Sequence, residues 1–246
     1  MMHIDINCDM AEGTGNEALL MPFISSANIA CGFHAGDENE MKRVVALCLK
    51  YNVAIGAHPS FPDKENFGRA TMNLPAEKVK HLINEQLNIL NKIVVAGGAK
   101  LHHVKPHGAL YNMAAKDRGL ARAIAVAVKD FDDELIYYGL SGSVMIDEAT
   151  ESGLQIAREV FADRTYQPDG SLTPRAGPGA LITNAGQAIR QVLEIINEKM
   201  VTVVNGNNIS IQADTVCIHG DGSNAVELAK KIYKGLIATG ILIQKI

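Results

Sequence analysis

Four short apolar runs in this chain each end in a histidine: Ser26–His34 (SANIACGFH), Val53–His58 (VAIGAH), His103–His107 (HVKPH) and Thr215–His219 (TVCIH). Polar or turn-forming residues follow each at once, as in Gly220-Asp221-Gly222 after the last. An imidazole gains or loses a proton near neutral pH and also binds metals, so these positions suit acid–base or metal-assisted hydrolysis. A buried strand ending in a titratable group is the arrangement of an active site at the carboxyl edge of a parallel sheet. One such histidine is more often a satisfied core residue. Four imply that His34, His58, His107 and His219 converge with Asp9 and Lys105 on one polar pocket.

Parity adds further candidates. His103, Lys105 and His107 fall on one strand face, as do Cys217, His219 and Asp221. Lys105 in a buried strand needs a carboxylate partner or a substrate anion. Asp5, Asn7 and Asp9 alternate with Ile4, Ile6 and Cys8, and three polar side chains on a buried strand are costly without partners. Asp5, at the strand start, reads as a tie to backbone or to an arginine, and Asp9 as the better base. Glu159 and Asp163 carry the same argument, against structural ion pairs to Arg158 or Arg164. Arg69, Arg164 and Arg175 lie on or beside loops expected to cover the site, where the guanidinium fork suits carboxylate or phosphate. The catalytic set is thus Asp9, His34, His58, Lys105, His107, Glu159 and His219. Asn7, Asn28, Asp163, Arg164, Arg175 and Asp221 are the residues expected to hold substrate.

Asp and His from separate strand ends also fit an open metal site, but no H-E-x-x-H or H-x-H pairing selects a metal. There is no Walker A sequence and no G-x-S-x-G elbow.

The elements that must position these groups alternate between strand and helix. Strands are expected over 3–10, 27–34, 53–58, 102–107, 134–139, 155–163 and 214–219. Helices follow most of them: from an Asp37/Glu40 capping box to about Tyr51, from Pro75 to about Gly97, unbroken after His107 through about Asp130, and over 144–152. A helix through about Met200 leads to a hairpin around Asn205–Asn208, and an Asn224/Glu227 capping box opens the last helix. The 165–179 loop (TYQPDGSLTPRAGPG) is long for a compact domain and reads as functional. About seven β/α units indicate a parallel sheet covered by helices. Polar endings on nearly every strand favour a barrel over an open sheet, which gathers them at one switch point.

At 246 residues, one domain over 1–246 is expected. A formal net charge of -4 gives no electrostatic case for nucleic acid or an anionic membrane. No apolar stretch has spanning length, and the N-terminus lacks a signal-peptide pattern. Cys8, Cys31, Cys48 and Cys217 are well separated in apolar settings, which points to reduced thiols and a cytoplasmic protein.

Taken in order, DINCDMAEG (5–13), SANIACGFHAGD (26–37), GAHPSFPD (56–63), FGR (67–69), VKPHGALYN (104–112), EVFADR (159–164) and CIHGDG (217–222) resemble the LamB/YcsF family. That family comprises the A subunits of prokaryotic ATP-dependent 5-oxoprolinases. Ala70 departs from it, where a second basic residue is expected. The resemblance implies a seven-stranded, TIM-like β/α barrel related to carbohydrate deacetylase barrels. It implies a hydrolase that opens 5-oxo-L-proline to L-glutamate with ATP consumed, acting with B and C subunits. Two other readings stand beside it. A metal-dependent amide or carbohydrate deacetylase would carry metal when purified without any added. A non-catalytic substrate-binding subunit would add nothing to the activity of its partners.

Overall fold

A computed structural model describes residues 2–220 and 224–246. In chain order the elements are His3–Met10 (β1), Glu17–Leu20 (α1), Ser26–Ala30 (β2), Glu38–Tyr51 (α2), Ala54–His58 (β3), Ala76–Ala96 (α3) and His103–Val104 (β4). Then come Gly108–Ala114 (α4), Arg118–Phe131 (α5), Ile136–Leu140 (β5), Val144–Glu151 (α6), Gln155–Phe161 (β6) and Ala185–Glu198 (α7). Met200–Thr202 (β7) and Asn208–Ser210 (β8) form the expected hairpin, followed by Thr215–Ile218 (β9), Ala225–Ala238 (α8) and Leu242–Ile243 (β10).

β1 to β6 pair in sequence order, all parallel; β6 then pairs with β9 and β9 with β1, closing a seven-stranded barrel. Helices wrap the outside, with α3 against α5 and α5 against α6. The alternation in β1 separates two buried surfaces rather than core from solvent. Ile4, Ile6, Cys8 and Met10 belong to the apolar core, while Asp5, Asn7 and Asp9 bond to side chains of other barrel strands, and all seven residues of 4–10 are buried. The four cysteines are buried free thiols. No helix is long and apolar enough to cross a membrane among the described residues.

Several boundaries differ from expectation. β2 stops at Ala30, because Gly32 at φ 87° turns the chain, so His34 sits in the following loop rather than on a strand end. β4 has two residues, yet Lys105 N to Ala57 O (2.9 Å) and His107 N to Pro59 O (2.8 Å) keep the next residues aligned along β3. The single helix expected after His107 is two. Asp117 breaks it by accepting from Leu120 N at 3.1 Å as a new N-cap. Half of the first capping box is redirected: Asp37 accepts from Glu40 N at 2.9 Å, but the Glu40 carboxylate accepts from Gly13 N at 3.0 Å. Asn224 makes no side-chain cap bond. β10 has no counterpart in the sequence pattern; it pairs with the first residues of β1 (His3 with Leu242, Ile4 with Ile243).

Candidate active site

A barrel of this kind ordinarily fills its interior with layers of Val, Ile and Leu. Here the interior is a hydrogen-bonded polar column. At its base Asp5 accepts from Ser25 (2.6 Å), Ser26 (2.7 Å), Thr215 (2.6 Å) and Tyr138 (3.1 Å). It binds hydroxyls, not the arginine or backbone expected from sequence. Burial pushes its carboxyl up, against the opposing pull of those hydroxyls.

One layer higher, Asn28 Nδ2 donates to Asn7 and Asp9 at 2.8 Å each, and Asn28 Oδ1 accepts from His103 Nε2 at 2.8 Å. Asn7 Nδ2 donates to Thr215 at 2.8 Å. The His103 ring lies over Gly56, where a Cβ would come 2.1 Å from Nε2, and stacks on Tyr138 at 4.1 Å. Burial holds the His103 imidazole well below its usual range.

The third layer centres on Lys105. Its ammonium contacts Glu159 (2.8 Å), Asp9 (2.9 Å), Cys217 Sγ (3.1 Å) and Asn7 (3.2 Å). Burial alone would lower its pKa, but Asp9, Cys217 and Glu159 outweigh that and raise it, so it stays charged. Burial opposes the Asp9 charge too, yet His58 and Lys105 hold its carboxyl well below the usual range. Tyr111 donates to the other Glu159 oxygen at 2.7 Å.

The column opens at the carboxyl edge of the sheet. His107 Nδ1 lies 2.9 Å from His58 Nε2, and His34 stacks on His107 with ring centroids 3.8 Å apart. Glu12 Oε1 approaches His34 (3.1 Å), His107 (3.4 Å) and His58 (3.9 Å), and these four residues are one of two groups whose donor atoms lie close enough to hold a metal ion. Burial depresses both the His107 imidazole and that of His34, the latter to about 3. Gly68 presses against this stack: at φ 68°, a Cβ there would sit 2.8 Å from His107 and 2.9 Å from His34.

Across the opening, Asp163 accepts from His219 through both oxygens (2.8 and 3.0 Å) and from the His219 backbone N–H. Burial would lower His219, but Asp163 raises it; in turn burial would raise Asp163, and His219 lowers it. The pair is therefore imidazolium and carboxylate.

Asp9, Glu12, His58, Lys105, His107, His219, Arg69, Arg164 and Arg175 all line a cavity of about 630 Å³. The 165–179 loop contributes Ser171 to Arg175 to its wall. Arg164 is buried and donates to Thr173 O at 2.6 Å, while its Nε has no hydrogen-bond partner among the described residues.

Residues 4–246 match the model of the LamB/YcsF family. The chain belongs to the LamB/YcsF family. It is 50% identical over 246 residues to the 5-oxoprolinase A subunit of Bordetella parapertussis, covering 98% of each chain. It is 51% identical over 248 residues to the 5-oxoprolinase A subunit of Geobacillus kaustophilus, covering 99% of this chain and 97% of that one. The crystal structure of a lactam utilization protein from Thermus thermophilus superposes with a TM-score of 0.93 over the whole of both chains, at 40% identity.

Within this LamB/YcsF barrel the residues expected from sequence separate by depth. Asp9, His58, Lys105, His107, His219, Arg164 and Arg175 reach the cavity. Glu159, Asn7, Asn28 and Asp163 stand behind them as hydrogen-bond partners, and His34 lies behind His107. Glu159 pairs with Lys105, and Arg158 takes Asp214 at 2.6 Å, so the expected Arg158–Glu159 pair does not form. Asp221 lies outside the described residues. Sequence reasoning misses Glu12 and Tyr111. Both lie inside the motifs DINCDMAEG and VKPHGALYN, and a carboxylate two residues beyond a polar strand end is the available signal for Glu12.

Proposed function

We propose that this chain is the A subunit of a 5-oxoprolinase, opening the lactam of 5-oxo-L-proline to L-glutamate with ATP hydrolysis, in assembly with B and C subunits. The observation that carries the reading is the 50% identity, over 98% of the chain, to a protein named for that role. The cavity supports it chemically. A five-membered lactam is a stable amide, and activation requires a charged, water-excluding site. A volume near 630 Å³ falls in the range of small-ligand pockets and leaves room beyond the lactam for a phosphate-bearing group.

The roles follow from protonation. Phosphorylation of the lactam oxygen by ATP makes C5 electrophilic. Asp9, ionised and fixed by Lys105 and Asn28, is placed to accept a proton from a water that adds to C5. Breaking the C5–N bond requires a proton on nitrogen, and the His219 imidazolium, oriented by Asp163, is the donor at hand. The acyl phosphate that results releases phosphate to a second water. Lys105 is already matched by Asp9 and Glu159, so substrate anions fall to Arg164 and Arg175 rather than to Lys105.

The test is glutamate release from 5-oxoproline by this chain alone, by B and C alone, and by all three, with and without ATP. Release only by the full set and only with ATP is expected. Release by this chain without ATP, or by B and C without this chain, would overturn the proposal.

A further inference from the structure

His58 Nδ1 lies 2.7 Å from the backbone carbonyl of Lys105, and His107 Nε2 lies 2.9 Å from the carbonyl of Phe67. A carbonyl oxygen only accepts, so both of those nitrogens carry protons. The inner nitrogens, His58 Nε2 and His107 Nδ1, then face each other across 2.9 Å. Glu12 Oε1, a third acceptor, stands 3.4 Å from His107 Nδ1 and 3.9 Å from His58 Nε2. Three acceptors this close repel one another unless a positive centre lies between them.

The spacing identifies the kind of centre. Metal–ligand bonds of 2.0–2.1 Å in a tetrahedron put neighbouring donor atoms about 3.3–3.4 Å apart. The three separations here, 2.9, 3.4 and 3.9 Å, bracket that length. The His58 and His107 rings stand 82° apart, so a single point can lie in both ring planes. Their outer N–H groups are anchored on carbonyls, the arrangement that fixes the tautomer of metal-bound histidines. His34 is different. It is within reach of Glu12 at 3.1 Å, but its ring is stacked within 7° of parallel on His107, so a centre in the His107 plane lies outside its own.

We propose that Glu12, His58 and His107 bind a divalent transition metal, with the fourth position open to the cavity and His34 holding Glu12 and His107 in place. Two imidazoles and a carboxylate suit zinc, cobalt, manganese or ferrous iron. The neighbouring group of donors, Asp9, Cys217 and His219, is different in kind. The Lys105 ammonium sits 2.9 Å from Asp9 and 3.1 Å from Cys217 and supplies the positive charge there. A cation at the rim would polarise a carbonyl oxygen or a water beside Asp9, the chemistry that lactam opening calls for. Binding is measured without turnover, so failure of the metal site and failure of the lactam reading are separate results.

The experiment titrates cobalt(II) into the full-length chain after chelator treatment, following visible ligand-field bands and retained metal per chain. One equivalent per chain, displaced by zinc and raising the melting temperature, is expected. Glu12→Gln, His58→Gln and His107→Gln should abolish the bands, while His81→Gln, exposed on α3, should keep them. His34→Ala should weaken affinity about 10- to 100-fold without abolishing it. Nitrogen NMR shifts of the His58 and His107 rings on zinc addition report ligation in the unsubstituted protein, should a variant fail to fold. No bands and no retained metal, bands unchanged in the His58 and His107 variants, or unmoved ring shifts would each overturn the site.

Discussion

Lys105 is held by two carboxylates inside the barrel, and neither has water to turn to if the ammonium is removed. Lys105→Met is therefore expected to destabilise by about 3–5 kcal/mol, read as a large fall in melting temperature. Adding Glu159→Gln should recover part of the loss, with a coupling of about 0.5–3 kcal/mol in the double-mutant cycle. Additive losses would show that the two groups do not share an interaction. The His219–Asp163 pair makes a pH prediction. The His219 pKa is raised above its ordinary 6.5, so its contribution is complete below that pH and fades as pH rises through the raised value. The Asp163 pKa is lowered below its ordinary 3.8, so its contribution is complete above 3.8 and fades as pH falls through the lowered value. The stability difference between the native chain and His219→Gln should then peak between those two ordinary values, at about 1.5–3 kcal/mol, and shrink above neutrality. A difference independent of pH from 5 to 9 would contradict the charged pair.

The 165–179 loop is pinned at both ends. Arg164 bridges to Leu181 and Tyr166 to Leu172, and Tyr166 is buried with its hydroxyl accepting from Phe161 N at 2.8 Å. Mobility should therefore be confined to the tip around Pro174–Gly179 rather than extend over the whole loop. Hydrogen exchange should find the tip poorly protected alone and more protected with 5-oxoproline, while residues near Tyr166 stay protected in both states. Equal protection of the tip in both states would exclude a substrate-responsive cover. Elements of this kind mark what a sequence makes legible. Period-two alternation places Asp5, Asn7 and Asp9 on one face correctly, because strand geometry alone decides that. It cannot say that the face looks into a barrel, since both faces are buried. His34 reads as a strand end because its run is apolar throughout, and only the backbone turn at Gly32 removes it. Glu12 follows Ala11, a residue at φ 60°, and periodicity carries no information across such a turn.

At the scale of the whole molecule, closure brings β9, near the end of the chain, between β6 and β1. No local signal distinguishes that from an open sheet; the spread of polar strand ends over the chain is the only guide. The last residues add a second tie. Leu242 N donates to Met2 O and Gln244 N to Ile4 O, each at 3.0 Å, and the Ile246 carbonyl accepts from His102 at 2.9 Å. Removing residues 242–246 should cost about 1–3 kcal/mol, seen as a lower urea midpoint, while leaving activity per folded molecule in the assembled enzyme unchanged. Lost activity at full folding would place the tail in function instead.

The polar column also constrains how this barrel can change over generations. Each of its members satisfies at least one other: Asp5 needs four hydroxyls, Asn28 links Asn7, Asp9 and His103, and Lys105 spans two acids. Losing one partner strands the rest at about 1–3 kcal/mol per buried group, whereas replacing a bonded pair together can be nearly neutral. A lineage therefore cannot exchange this interior for an apolar one by single accepted substitutions, because every first step is the costly one. Drift should accumulate on the helices outside, and the lumen should move only in simultaneous pairs or not at all.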